Sequence, residues 1–182
     1  VYKRQVMTED NNEDDVLKVY KTVKGNHARG HINQRQIDEI VKSILPELNN
    51  ENYQEIGIIA PYRNQVEKIS ADLNNHQMLI DTVHKFQGRE KEDIIMSTVD
   101  DEITSFSDDS NLLNVAISRA VKRFRIVVNP NEKNKFTNVG DFVSYVEYNN
   151  FEIVESEISS IFDYLYKQYW SCLLYTSDAA DD

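Results

Sequence analysis

The sequence predicts an α/β protein, with a parallel sheet covered by helices on both faces over residues 25–130 and a mostly helical C-terminal appendage over 131–170. Three observations carry this reading. Four short segments, Ile56-Gly57-Ile58-Ile59-Ala60, Leu79-Ile80-Asp81-Thr82-Val83, Ile94-Ile95-Met96-Ser97-Thr98-Val99 and Phe124-Arg125-Ile126-Val127-Val128, are largely apolar at consecutive positions, as strands buried on both faces require. Between them stand segments whose apolar residues recur at helical spacing. The two patterns alternate along the chain, which is the mark of strand–helix–strand units.

The elements follow in order. Residues 1–24 read as a polar N-terminal segment, with the run from Met7 to Asp15 as a solvated loop. Asn33-Gln34-Arg35-Gln36 has the spacing of a helix N-cap with a reciprocal Gln. Ile37, Ile40, Val41, Ile44 and Leu45 then lie on one stripe, and Pro46 stops the helix. After the first strand, Pro61 suits the opening turn of a second helix with Tyr62, Val66, Ile69 and Leu73 on its stripe. The second and third strands are joined by a polar loop holding one glycine, Gly88. Leu113, Ala116, Ile117 and Ala120 mark the next helix, and the last strand follows at Phe124. In the appendage, Asp141 is placed to cap a short helix through Phe142, Tyr145 and Val146. Ile158, Ile161, Phe162, Leu165 and Tyr169 outline a further amphipathic helix. Residues 1–5 and 171–182 resemble translated adapter sequence and are read as non-native ends.

Composition narrows the function classes. A chain of 182 residues with 40% hydrophobic and 28% charged residues is globular. It has no apolar run of the ~20 residues that a membrane span needs, nor an apolar leader at its start. Its one cysteine, Cys172, rules out a disulfide within the chain and fits a reducing cytoplasm. The net charge is −11, and residues 147–182 contribute one basic and eight acidic residues to it. With no polybasic tract, any nucleic-acid contact is a local site and not a broad field.

Several motifs are excluded. Gly25 and Gly30 have the spacing of a phosphate-binding P-loop, but His31-Ile32 stand where Lys-Ser/Thr is needed, and no strand is predicted before them. The four histidines do not fall at zinc-ligand spacing, and no metal ligands are assigned. Three other segments each sit where a strand meets a loop or helix. In Ile59-Ala60-Pro61-Tyr62-Arg63-Asn64-Gln65, Tyr62 can stack on a base, worth ~1–3 kcal/mol, and the planar fork of Arg63 can pair with phosphate. Taken singly, they read equally as a core tyrosine and a surface arginine. In the loop His84-Lys85-Phe86-Gln87-Gly88-Arg89-Glu90, Gly88 allows close backbone approach and Glu90 can accept from ribose hydroxyls. In Leu113-Asn114-Val115-Ala116-Ile117-Ser118-Arg119, Arg119 lies on the border of the apolar stripe. A snorkelling side chain sits there, and so does an arginine that reaches across a cleft.

Together and in order, PYRNQV, TVHKFQGREKEDIIMSTV and NLLNVAISRAVKRFRIVV resemble motifs IV, V and VI of superfamily 1 helicases, in the branch of the RNA-surveillance and flap-processing helicases. The resemblance covers residues 25–130 and implies the second RecA-like domain of such an enzyme. It implies roles for matching positions. Tyr62 would stack on adenine, Arg63 would reach the γ-phosphate, and Arg119 would be the arginine finger. Gly88 and Glu90 would lie near phosphate and ribose, and Thr82 and His84 in the nucleic-acid channel. ATP is the implied cofactor, with magnesium held by the first RecA-like domain, whose P-loop this sequence lacks. Alone, the chain is expected to be inactive. The implied partners are that first domain and a single strand, DNA favoured over RNA. Ala60 stands where many relatives carry threonine, and Asn111-Leu112 replace a frequent basic pair. The alternative is a RecA-like interaction domain without catalysis.

Overall fold

The computed structural model describes residues 15–23, 30–48, 52–74, 77–130 and 135–158. Six strands, β1 (Leu17–Lys21), β2 (Ile56–Ala60), β3 (Leu79–Thr82), β4 (Lys91–Ser97), β5 (Ala120–Val128) and β6 (Glu152–Glu155), form one sheet. Their order is β3-β2-β4-β5-β1-β6 and every neighbouring pair is parallel. Ile58 is level with Ile95, and Val127 on the next strand is level with Ser97.

Helices cover both faces, as the continuously apolar strands require. Five α-helices are present among the described residues: α1 (Gln34–Glu39), α2 (Leu45–Leu48), α3 (Arg63–Leu73), α4 (Ser110–Ser118) and α5 (Asn138–Tyr148). On one face Leu112, Ala116, Phe142 and Val146 from α4 and α5 pack with Val19, Met96, Phe124 and Ile126. On the other, Ile37, Ile40, Ile44 and Ile69 pack with Tyr20, Ile58, Ile95 and Val127.

The structure corrects several expectations. The segment read as polar over 1–24 contains β1, which is inserted between β5 and β6. Lys18 hid it. Its ammonium is buried because Glu47 and, at 2.7 Å, Glu152 neutralise it. Residues beyond 130 supply α5 and also β6, so the sheet crosses that boundary. The helix expected around Ile158–Tyr169 falls outside the described residues. Pro46 does not stop its helix. A π-helical turn over Ile40–Ile44 widens the backbone, Leu45 N–H reaches Ile40 O, and Pro46 continues into α2. Pro61 precedes α3, whose N-cap is Tyr62. Ala120 opens β5 and is not helical. Thr137, not Asp141, caps α5, its Oγ1 accepting from Gly140 N–H at 3.0 Å.

Candidate functional site

Chain direction decides what the three segments share. Because all strands are parallel, the sheet has one end of strand carboxyl termini and one of amino termini. Tyr62 and Arg63 follow β2, and Thr82 ends β3 with His84 just beyond it, so these four lie at the carboxyl end. Ala60 and Thr82 are directly paired. Gly88 and Glu90 precede β4, and Arg119 precedes β5, so these three lie at the amino end. From Lys91, level with Ala120, to Ser97 is six steps of strand, roughly 20 Å.

The resemblance implies that Tyr62, Arg63, Glu90 and Arg119 gather on one nucleotide, whereas the sheet holds the first two and the last two at opposite ends. The strand separation exceeds what two arginine side chains can span, so Arg63 and Arg119 do not meet on one phosphate. Tyr62 is likewise remote from Glu90, and its ring is already engaged. It stacks on His31, with centroids 4.0 Å apart, and touches Phe106 at 5.4 Å.

At the amino end the geometry is tight. Lys91 N–H donates to Arg119 O at 3.0 Å, which sets Glu90 beside Arg119. Arg119 is the C-cap of α4, and its Nε is buried with no hydrogen-bond partner. Gly88 has φ +79°, a left-handed conformation that glycine adopts without strain, and no atom would contact a Cβ there. Phe86 anchors this loop. Its ring is fully buried against Gly57, where an added Cβ would come within 2.8 Å of it. Glu90 is exposed. Among the described residues, no group of three His, Cys, Asp or Glu side chains could hold a metal ion.

At the carboxyl end Arg63 is 78% exposed and pairs with Glu67 at 2.8 Å, one helical turn along. Thr82 is half-buried and His84 exposed. Tyr62 OH donates to Asp100 Oδ2 at 2.7 Å. Burial, with that carboxylate, raises its phenol above the usual range, so it stays a donor.

Beneath this end lies a buried polar network that the sequence reading missed. Asn33 caps α1 as expected, accepting from Gln36 N–H at 3.2 Å. The reciprocal Gln bond is not made. Gln36 Oε1 accepts instead from Ser97 Oγ at 2.6 Å and Val99 N–H at 3.0 Å. Asn33 N–H donates to Gln65 Oε1 at 2.8 Å, and Gln65 Nε2 donates to Ser97 Oγ at 3.0 Å. Asn33 Nδ2 donates to Val99 O at 2.8 Å, fixing a β-branched residue at φ +68°. A glutamine directly before the apolar stripe residue Val66 was the available signal.

A family model described as an AAA domain matches residues 4–131. The chain belongs to this AAA-domain family. It is a RecA-like domain of superfamily 1 helicase type, and the family includes ATP-dependent helicases. The chain is 30% identical over 159 residues to the DNA replication ATP-dependent helicase/nuclease dna2 of Schizosaccharomyces pombe, spanning 84% of the chain and 11% of that protein. It is 39% identical over 88 residues to the human RNA helicase Mov10l1, 42% of the chain and 7% of that protein. An ATP-dependent helicase of Caenorhabditis elegans is 38% identical over 93 residues, 50% of the chain and 6% of that protein. The chain thus spans about a tenth or less of these relatives. A solved C-terminal domain of a possible DNA helicase from Lactobacillus plantarum aligns at TM-score 0.48 and 13% identity, covering 70% of this chain and 81% of that one. No helix among the described residues is long and apolar enough to cross a membrane.

Proposed function

We propose that this domain is the second half of an ATP-driven nucleic-acid motor, and that its amino end completes the ATP site of a preceding RecA-like domain. The observation that carries the reading is the bond from Lys91 N–H to Arg119 O, which brings the chain at Glu90 alongside an arginine whose Nε is buried and unpartnered. A guanidinium in that state is suited to an anion that arrives from outside. Arg119 would stabilise charge on the transferring phosphoryl group, Glu90 would accept from the ribose hydroxyls, and Gly88 would let the backbone approach. Magnesium and the P-loop lysine would come from the preceding domain. The carboxyl end, with Arg63, Thr82 and His84, would face the single strand. DNA is the favoured substrate, in keeping with the long match to a DNA replication helicase. Closing and opening of the cleft between the halves would step the strand in a cytoplasmic enzyme.

The test is kinetic, in the full-length protein. Arg119→Ala should lower kcat for ATP while nucleotide affinity holds, because a finger acts in the transition state. Unchanged kcat would leave the domain an interaction module.

A further inference from the structure

The carboxyl end carries an arrangement that neither half of the ATP site uses. We infer that His31, Tyr62 and Phe106 form a platform on which one base of a single strand stacks, with Arg63 beside it for the adjoining phosphate. This rests on the reading of the carboxyl end as strand-facing.

His31 and Tyr62 lie face to face, 21° from coplanar, and Phe106 tilts against the same tyrosine. Yet the His31 side chain is 57% exposed and Phe106 is 49% exposed. Exposed rings in ordered contact are surface a base can extend, since every base has a π-face. The rings are held in place. His31 sits at φ +60° after Gly30 at φ +56°, a strained turn for a residue with a side chain. Asn64 Nδ2 donates to Gly30 O at 2.9 Å and ties that turn to α3. Tyr62 is fixed by Asp100, whose Oδ2 also accepts from Ser107 Oγ at 2.7 Å. Arg63 follows directly, and of its guanidinium only Nε is hydrogen-bonded among the described residues. The surroundings are acidic, with Asp101 and Glu102 nearby on the chain. Stacking, with at most one phosphate contact, therefore carries the interaction.

The probe is a short single-stranded oligodeoxythymidylate with one internal 2-aminopurine, titrated into the 182-residue chain. A matched abasic oligomer is the control. Binding should quench the 2-aminopurine. His31→Ala and Phe106→Ala should each raise Kd by roughly 5- to 100-fold, the range that loss of one stacking contact gives. His31→Phe should restore binding, the abasic oligomer should bind as poorly as the alanine variants, and log K should fall with log salt at a slope of about −1 or shallower. Circular dichroism confirms that the variants are folded. If the abasic oligomer binds as tightly as the base-bearing one, or both alanine variants bind like the parent, the platform is wrong while the strand-facing reading survives. If the parent chain binds neither oligomer, both fall.

Discussion

Burying Arg119 Nε without a hydrogen bond costs about 1–3 kcal/mol in the isolated domain. A phosphate oxygen would return that cost on binding, and more of it as charge builds in the transition state. In the full-length protein Arg119→Ala is thus expected to reduce ATP turnover by about 10³–10⁵, the range for arginine fingers in GTPases, with nucleotide affinity little changed. Steady-state kcat against a nucleotide-binding titration separates the two. Arg63→Ala is expected to leave kcat within about twofold at saturating strand and to raise the KM for nucleic acid, because Arg63 stands at the other end of the sheet. A large kcat loss there would return Arg63 to the ATP site. Gly57→Ala presses a methyl to within 2.8 Å of the Phe86 ring and 2.7 Å of Ile94 Cδ1. A loss of about 1–3 kcal/mol in urea unfolding is expected. At this scale the resemblance grouped Arg119, Glu90 and Gly88 with Arg63 and Tyr62 around one nucleotide; the first three share the amino end of the sheet and the other two emerge at the carboxyl end, because a motif string does not say at which end of a strand its residues lie.

The buried polar network makes α1, α3 and the end of β4 one unit. Gln65 bonds Asn33 and Ser97 together, with neither partner exposed to water. Gln65→Leu strands those groups, and a destabilisation of about 2–3 kcal/mol is expected, read as a lower urea midpoint at unchanged slope. On the same sheet face β1 is tied to α2 through Glu47, which accepts from Lys18 and, at 2.5 Å, from Tyr20 OH. Burial works to raise the Glu47 carboxyl, but those two donors outweigh it and hold it below its ordinary value of 4.5. A depressed carboxyl contributes stability above its unfolded pKa and loses it as pH falls through the folded one. The difference in unfolding free energy between the parent and Glu47→Gln should therefore be full near neutrality and shrink at pH below about 4.5. A difference that does not change with pH would mean that the donors bond the neutral amide as well. These charges are also why β1 and β6 were not legible. A strand is found by its apolar run, and Lys18, Glu152 and Glu155 interrupt runs of only five and four residues. β2 carries no such interruption, and in β4 the buried Asp93 stands ahead of the apolar run Ile94-Ile95-Met96, so both are legible as strands.

For the whole molecule, the layered α/β plan was legible because alternation of buried strand and amphipathic helix is a property of long stretches, and single charged residues do not erase it. The boundary at residue 25 was not, and it can be tested. A chain starting at residue 25 lacks β1, which holds both β5 and β6 by parallel pairing. It is expected to show no cooperative unfolding transition, whereas the intact chain should show one. The position of β1 has a further consequence, in time. Leu17 is made about a hundred residues before its partner Phe124, and its other neighbour, β6, comes later still. At roughly 5–20 residues per second, the apolar side chains of β1 wait several seconds beside the ribosome before a strand exists to receive them. β2, β3, β4 and β5 can pair in the order in which they are made, whereas β1, the earliest of the six described strands, is among the last to dock.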